Sequence, residues 1–199
     1  MRRDKGISMR KESSTRALPP FGGQALSISF PIMQSDTSDS RLHFLPVNIN
    51  IDGKRILIIG GGRVGLHKAT ILSRFTDSAT IISPTFREGF QSLPFRLLQK
   101  AYEPADLDGA FLVYICTEND ELNRRIKQDA EQRHVLASVC DNPSLCDFTS
   151  PAIFRQGDLT VAVSSDAKDV CRSMRIRDVI QDNFSHLESI AQPEKSIYQ

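Results

Sequence analysis

The stretch Lys54-Arg55-Ile56-Leu57-Ile58-Ile59-Gly60-Gly61-Gly62-Arg63-Val64-Gly65 decides the fold of this 199-residue chain. Its apolar run predicts a buried strand, and Gly60, Gly62 and Gly65 match the G-x-G-x-x-G pattern. In that pattern the first glycine permits a tight turn, the second lets the backbone approach a pyrophosphate, and the third lets a helix pack closely on the strand. Glycines also punctuate ordinary turns, but the strand before and the amphipathic helix after favour nucleotide binding.

The second half of the nucleotide site departs from the common pattern. An acidic residue that bonds the adenosine ribose is expected about 20 residues further on, where the chain has Ser83-Pro84-Thr85. This segment offers hydroxyl groups but neither a carboxylate nor an arginine for a 2′-phosphate, so we predict NAD rather than NADP. The predicted cofactor-binding residues are Gly60, Gly61, Gly62, Arg63, Val64, Gly65, Ser83, Pro84 and Thr117.

From Phe44 onward, short β-branched runs alternate with helical stretches, which predicts a Rossmann-like α/β fold: a parallel sheet with helices on both faces. The predicted strands are 55–59, 79–83, 95–99, 111–116 and 135–140, and the clearest helices are 64–74 and 121–133. After Asp141 the pattern changes to a β-hairpin around Gln156-Gly157-Asp158 and one final helix over 169–190. We therefore predict a disordered extension over 1–43, an NAD-binding domain over 44–147, a dimerisation and substrate-binding module over 148–190, and a tail over 191–199.

Composition narrows the partners. The 25 basic and 24 acidic residues nearly balance, which gives no reason to expect nucleic acid, and no apolar run approaches the length of a membrane span. The four cysteines show no metal-ligand spacing and are predicted to be reduced and buried in a cytoplasmic protein. The four histidines are scattered, so we predict no tightly held metal.

The order of several motifs is more specific than the glycines alone. These are Leu45-Pro46-Val47, the stretch 54–64 with Lys68-Ala69, Tyr114-Ile115-Cys116-Thr117 with Asn123 and Arg124, Val139-Cys140-Asp141, Phe148, Pro151-Ala152 and 159–165. Over residues 44–187 the chain resembles the precorrin-2 dehydrogenase and sirohydrochlorin ferrochelatase family, the amino-terminal module of siroheme synthases. The resemblance implies that NAD accepts a hydride as the tetrapyrrole precorrin-2 becomes sirohydrochlorin, that the region after the sheet builds a homodimer, and that Asp141 takes part. Insertion of Fe²⁺, which some members perform, stays open.

The position of Asp141 in the predicted fold also indicates a functional role. It follows the fifth predicted strand, at the edge where open parallel sheets bind ligands, and a carboxylate can accept the proton released in an oxidation. The alternative is a structural turn, because Asp141-Asn142-Pro143-Ser144 is good turn chemistry. With the resemblance, we predict that Asp141 is the catalytic base.

A substrate with many carboxylates calls for cations and hydroxyl groups. The predicted substrate-binding residues are Ser164, Ser165, Lys168 and Arg172. Family members often carry a glycine-containing segment after the Ser-Ser pair, whereas this chain has Asp166-Ala167-Lys168-Asp169, whose two acids would repel substrate carboxylates. The alternative function is a non-enzymatic NAD-sensing regulatory module of a transport system, which explains the glycine turn but neither the hairpin nor the Ser-Ser segment.

Overall fold

The structure, a computed structural model, describes residues 41–191. Most of the extension predicted over 1–43 and of the tail predicted over 191–199 therefore lies outside the described residues. Within them the elements are β1 Ile56–Ile59, α1 Arg63–Leu72, β2 Ala79–Ser83, β3 Arg96–Gln99, β4 Leu112–Ile115, α2 Asp120–Gln132, β5 Leu136–Val139, β6 Ala152–Gln156, β7 Leu159–Val163, α3 Val170–Asp182 and α4 Phe184–Ala191.

The first five strands form a parallel sheet in the order β3-β2-β1-β4-β5. On one face, Ala69 and Leu72 of α1 join a buried cluster with Ile56 and Ile58 of β1. On the other face, Ile126 and Ala130 of α2 are buried against strand residues such as Leu57. The predicted Rossmann-like sheet with helices on both faces is confirmed. The strands β2 and β3 lie on one side of β1, and β4 and β5 lie on the other, so the strand order reverses between β1 and β4. Ligand-binding residues are expected at this point, where β1 and β4 end.

The remaining strands, β6 and β7, pair as the predicted antiparallel hairpin. The prediction of a single final helix is wrong, because α3 ends at Asp182 and α4 begins at Phe184. Asn183 separates them, and its side-chain amide donates a hydrogen bond to the Val179 carbonyl at 2.8 Å. Phe184 is buried, with its ring 5.2 Å from that of Phe154 in β6. We attribute the break to this contact, which holds the start of α4 on the hairpin.

The cysteines are less uniformly buried than predicted. Cys116 is buried, but Cys140 and Cys146 are half-buried and Cys171 is exposed. Cys171 lies in the first turn of α3 and is exposed there, so the prediction of buried packing fails at this residue. No helix in the part of the chain that the structure describes has the length and apolar character of a membrane span.

Candidate functional site

The glycine turn joins β1 to α1 and is held by close backbone contacts. Gly60 has a φ of +121°, and a β-carbon there would overlap the carbonyl of Cys116, which follows β4. A β-carbon on Gly65 would overlap the carbonyl of Gly60. These two glycines are therefore required by the fold itself, since they let the turn pack against β4 and α1 pack against the turn.

The two middle glycines differ from each other. A β-carbon on Gly61 would overlap the carbonyl of Thr85 and lie 2.8 Å from the Ser83 hydroxyl. Gly62, the N-cap of α1, has an ordinary φ of −83°, and a β-carbon there would meet only Glu118, at 3.7 Å. Packing within the chain therefore does not explain a glycine at position 62. The missing side chain leaves open space at the start of α1, where the free N–H groups and the helix dipole favour an anion.

The turn forms one wall of a cleft of about 820 Å³, which we call the glycine-turn cleft. It contains seven of the predicted cofactor-binding residues: Gly60, Gly61, Gly62, Arg63, Ser83, Pro84 and Thr117. Val64 lines the neighbouring cleft described below, and Gly65 packs beneath the turn. Sequence reasoning missed Arg87, Tyr102 and Glu118, which complete the walls. These three residues lie in the loops after β2, β3 and β4, and this position could have identified them from the sequence.

Asp141 follows β5 and has a φ of +76°. A positive φ is strained for a residue with a side chain, although aspartate and asparagine tolerate it better than most, and such residues are often found at functional sites. Asp141 lines three cavities, two of which adjoin the glycine turn and the hairpin. The Asp141 cleft, of about 320 Å³, is shared with Gly62, Arg63, Thr117 and Glu118, all of which also line the glycine-turn cleft. The hairpin pocket, of about 130 Å³, lies between the end of β5 and the hairpin.

The loop that carries Asp141 is fastened to α2 at its far end. Asp147 accepts a hydrogen bond from Lys127 Nζ at 2.7 Å and another from the Ala137 N–H at 2.9 Å. Lys127 is buried and also pairs with Glu131 at 3.2 Å. Burial alone would lower the pKa of Lys127, but the hydrogen bonds to Asp147 and Glu131 outweigh it and raise that pKa. The ammonium therefore stays charged and fixes the loop.

Asp147→Ala is expected to lower the free energy of unfolding by about 1–3 kcal/mol, because it leaves the buried ammonium with one exposed partner and the Ala137 N–H with none. Urea unfolding followed by circular dichroism measures this loss. Gln128→Ala, at an exposed position on the same helix, is the matched control and should unfold like the unmodified chain. Equal midpoints for the two variants would show that the fastening contributes nothing.

The predicted substrate-binding residues divide into two pairs. Ser164 and Ser165 line the hairpin pocket together with Asp141. The Ser165 hydroxyl is also engaged at the start of α3, where it donates to the Asp169 carbonyl and accepts from the Asp169 N–H. Lys168 and Arg172 do not line this pocket. Lys68 of α1 does, and its ammonium lies 5.8 Å from the centre of the Tyr114 ring.

The two acids after the Ser-Ser pair have structural partners. Asp166 accepts hydrogen bonds from the backbone N–H groups of His43 at 2.7 Å and Phe44 at 2.9 Å, and Lys168 Nζ lies 3.4 Å away. Asp169 caps α3 by accepting from the Arg172 N–H at 2.7 Å. Neither acid lines the hairpin pocket. The expected repulsion of substrate carboxylates is therefore not supported, because both carboxylates are hydrogen-bonded to backbone N–H groups of the same chain.

Asp166→Ala is expected to release the segment around His43 and Phe44, which increases hydrogen exchange of those two amides. Hydrogen bonds from Phe44 and His43 lower the pKa of Asp166 below its ordinary value of 3.8. The folded pKa lies below the unfolded one, so this carboxylate stabilises the protein fully above about pH 4 and loses its effect as the pH falls further. Exchange measured by mass spectrometry and melting temperatures from pH 7 to pH 3 check both points.

Asp158→Ala, in the exposed hairpin turn, is the matched control for this prediction. The stability gap between Asp166→Ala and this control should shrink on acidification. A gap that does not change between pH 7 and pH 3 would contradict the role of the Asp166 charge.

No group of three or more histidine, cysteine, aspartate or glutamate side chains within residues 41–191 is arranged to hold a metal ion.

Comparison with known proteins gives this geometry a context. A family model described as NAD(P)-binding matches residues 47–152. The siroheme synthase of Pseudomonas fluorescens strain SBW25 is 34% identical over 142 residues, which are 68% of this chain and 31% of that protein. The siroheme synthase of Methylobacillus flagellatus is also 34% identical, over 139 residues that cover 67% of this chain and 30% of that protein. The chain thus spans about a third of the length of these curated relatives.

A solved structure supports the fold. That of SirC, a precorrin-2 dehydrogenase, superposes with a TM-score of 0.61 at 22% sequence identity and covers 70% of this chain and 71% of the other. At this level of identity the similarity shows the fold alone.

Proposed function

Because the chain belongs to the NAD(P)-binding family whose model spans residues 47–152, we propose that it catalyses the NAD-dependent oxidation of precorrin-2 to sirohydrochlorin in siroheme synthesis. The observation that carries the proposal is the position of Asp141. Asp141 lines both the Asp141 cleft, which shares residues with the glycine turn, and the hairpin pocket. A cofactor on one side and a substrate on the other would both reach it.

The residues around the glycine turn fit a dinucleotide. The glycine-turn cleft has a volume within the range of small-molecule sites, and the missing side chain of Gly62 leaves room at the start of α1. The N–H groups there would hold the pyrophosphate, Ser83 and Pro84 would hold the adenosine end, and Thr117 and Glu118 would flank the other ribose. When bound, the nicotinamide ring supplies the acceptor for a hydride.

Asp141 would provide the base for the reaction. Removal of a hydride from the tetrapyrrole leaves a proton to be taken up, and an ionised carboxylate within hydrogen-bond reach can take it. None of the side-chain hydrogen bonds within residues 41–191 occupies this carboxylate, so it is free to accept the proton. On the substrate side, we propose that Ser164 and Lys68 bind peripheral carboxylates, Lys68 through its charge and Ser164 through its hydroxyl. We also propose Ser165 as a contact within the pocket. Parts of the substrate that extend beyond the pocket would contact Lys168 and Arg172.

We propose NAD rather than NADP because Ser83 at the end of β2 is buried against the turn and no cation replaces the usual acid at positions 83–85. The exposed Arg87 at the rim of the same cleft is the group that would argue for NADP. Binding of both dinucleotides to the unmodified chain and to Arg87→Ala separates the two cases. Tighter binding of NADP, lost in Arg87→Ala, would overturn the preference.

The decisive experiment supplies precorrin-2 with NAD or NADP and records the absorbance of the reduced dinucleotide together with that of sirohydrochlorin. We expect both products in equal amounts with NAD. Binding of NAD by calorimetry without any tetrapyrrole turnover would instead favour the NAD-sensing regulatory module. A separate anaerobic reaction of sirohydrochlorin with Fe²⁺, corrected for the uncatalysed rate, tests whether the chain also inserts iron.

We also propose that the module over 148–190 assembles the chain into a homodimer. Its helices expose apolar side chains at Val170, Met174, Val179, Leu187 and Ile190. Association with a second copy of the chain would remove such side chains from water. Light scattering should give the mass of two chains, and Val179→Glu should reduce it to that of one.

A further inference from the structure

Two cysteines meet at the edge of the candidate site. Cys116 follows β4 and Cys140 follows β5, one position beyond the paired residues Ile115 and Val139. The Cys140 N–H donates to the Ile115 carbonyl at 2.9 Å, so the alignment of the strands continues through both cysteines. Their sulfur atoms lie 2.7 Å apart. The backbone spacing also suits a bond, because neighbouring strands are about 4.8 Å apart and disulfides need Cα atoms about 4.4–6.8 Å apart.

The surroundings make the two sulfurs unequal. The pKa of Cys140 is lowered, first by the hydrogen bond between its sulfur and that of Cys116 and then by the nearby Lys68 ammonium. The same hydrogen bond, together with burial, raises the pKa of Cys116. Cys140 is also the less buried of the two. Because the thiolate is the reactive form of cysteine, Cys140 would be the nucleophile of the pair and Cys116 the partner that resolves it.

Both sulfur-bearing residues line the Asp141 cleft, and Cys116 also lines the glycine-turn cleft. A small oxidant entering from solvent can therefore reach them, whereas a bound dinucleotide would cover the entrance. The other two cysteines have different surroundings. The Cys146 sulfur contacts the backbone of Val139 at 3.2 Å, and Cys171 is exposed on α3.

We propose that Cys116 and Cys140 are a peroxide-sensitive dithiol, which closes to an intramolecular disulfide at the dinucleotide site and is shielded when the dinucleotide is bound. The Cys140 thiolate attacks one oxygen of hydrogen peroxide and expels hydroxide, which takes a proton and leaves as water. The Cys116 sulfur then attacks the resulting sulfenic acid, the S–S bond forms, and the sulfenic oxygen leaves as water with the thiol proton. The two sulfurs lose two electrons, and one peroxide becomes two waters.

The test treats the full chain with hydrogen peroxide, alkylates the remaining thiols and maps the peptides by mass spectrometry. We expect one cross-linked peptide pair containing Cys116 and Cys140, two hydrogens lighter than the separate peptides and separated again by dithiothreitol. NAD at about ten times its Kd should slow its formation about tenfold, because only the unoccupied tenth of the protein can react. No tetrapyrrole is needed, so this result is independent of the proposed reaction.

Cysteine-to-serine variants test which residues form the cross-link. Cys140→Ser and Cys116→Ser should each form no cross-link, while Cys171→Ser, the matched control at the exposed cysteine, should form it at the rate of the unmodified chain. If a site variant fails to fold, the peptide map of the unmodified chain still decides. The proposal is overturned if Cys116 and Cys140 remain fully alkylated while Cys171 is oxidised. An unchanged rate at a saturating NAD concentration verified by calorimetry would overturn the shielding.

Discussion

Asp141→Asn is expected to lower kcat for precorrin-2 oxidation by about 10²–10⁴-fold, the usual contribution of a positioned general base, with NAD affinity unchanged. The amide has the shape of the carboxylate but cannot take up a proton at neutral pH. Asparagine also tolerates the φ of +76° at this position, so the loop should keep its conformation. Asp141→Ala should lose the same activity and, because alanine is strained at a positive φ, some stability as well.

The measurement combines the initial rate of NADH formation, calorimetry with NAD and thermal unfolding of each variant. Ser144→Ala is the matched control, since Ser144 is exposed in the same loop and, among residues 41–191, its hydroxyl bonds only to Asn142. Its rate should equal that of the unmodified chain. A folded Asp141→Asn protein with normal turnover would leave Asp141 as the structural turn residue that the motif Asp141-Asn142-Pro143-Ser144 also permits.

The sheet could be predicted closely from the sequence because its strands are short apolar runs bounded by polar turns. The second strand was predicted over 79–83 and is found as Ala79–Ser83, and the first and third begin one residue later than predicted. The start of α2 is also a local feature, because Asn119 caps the helix by accepting a hydrogen bond from the Leu122 N–H. These features depend on neighbours in the chain, and local sequence reports them well.

Contacts between segments that are far apart in the chain could not be predicted from the local sequence. The contact between Asp166 and His43 joins residues 123 apart, and the break between α3 and α4 depends on Phe184 meeting the hairpin. The close approach of Cys116 and Cys140 is an intermediate case. Each cysteine ends a predicted strand, but their contact follows only once those strands are known to be neighbours, which is a property of the strand order.

Gly62→Ala is expected to fold normally and to bind NAD about 10–100-fold more weakly, a loss of about 1.4–2.8 kcal/mol. Its φ of −83° suits alanine, and the added carbon would meet only Glu118 at an ordinary distance. The change in the free energy of unfolding should be small, because alanine restricts the unfolded chain but is a poorer N-cap than glycine. The same methyl group would occupy the space through which the pyrophosphate approaches the N–H groups of α1.

Gly65→Ala makes the same chemical change three residues later and should lower the stability much more. Its β-carbon would overlap the Gly60 carbonyl, so α1 has to move away from the turn, at a cost of about 1–3 kcal/mol or more. Thermal unfolding without ligand and calorimetry with NAD distinguish the two variants, and ADP-ribose, which keeps the pyrophosphate but lacks nicotinamide, should show the same loss with Gly62→Ala. If Gly62→Ala bound both ligands as tightly as the unmodified chain, the phosphates would have to lie elsewhere, and the glycine turn would be no more than a tight connection between β1 and α1.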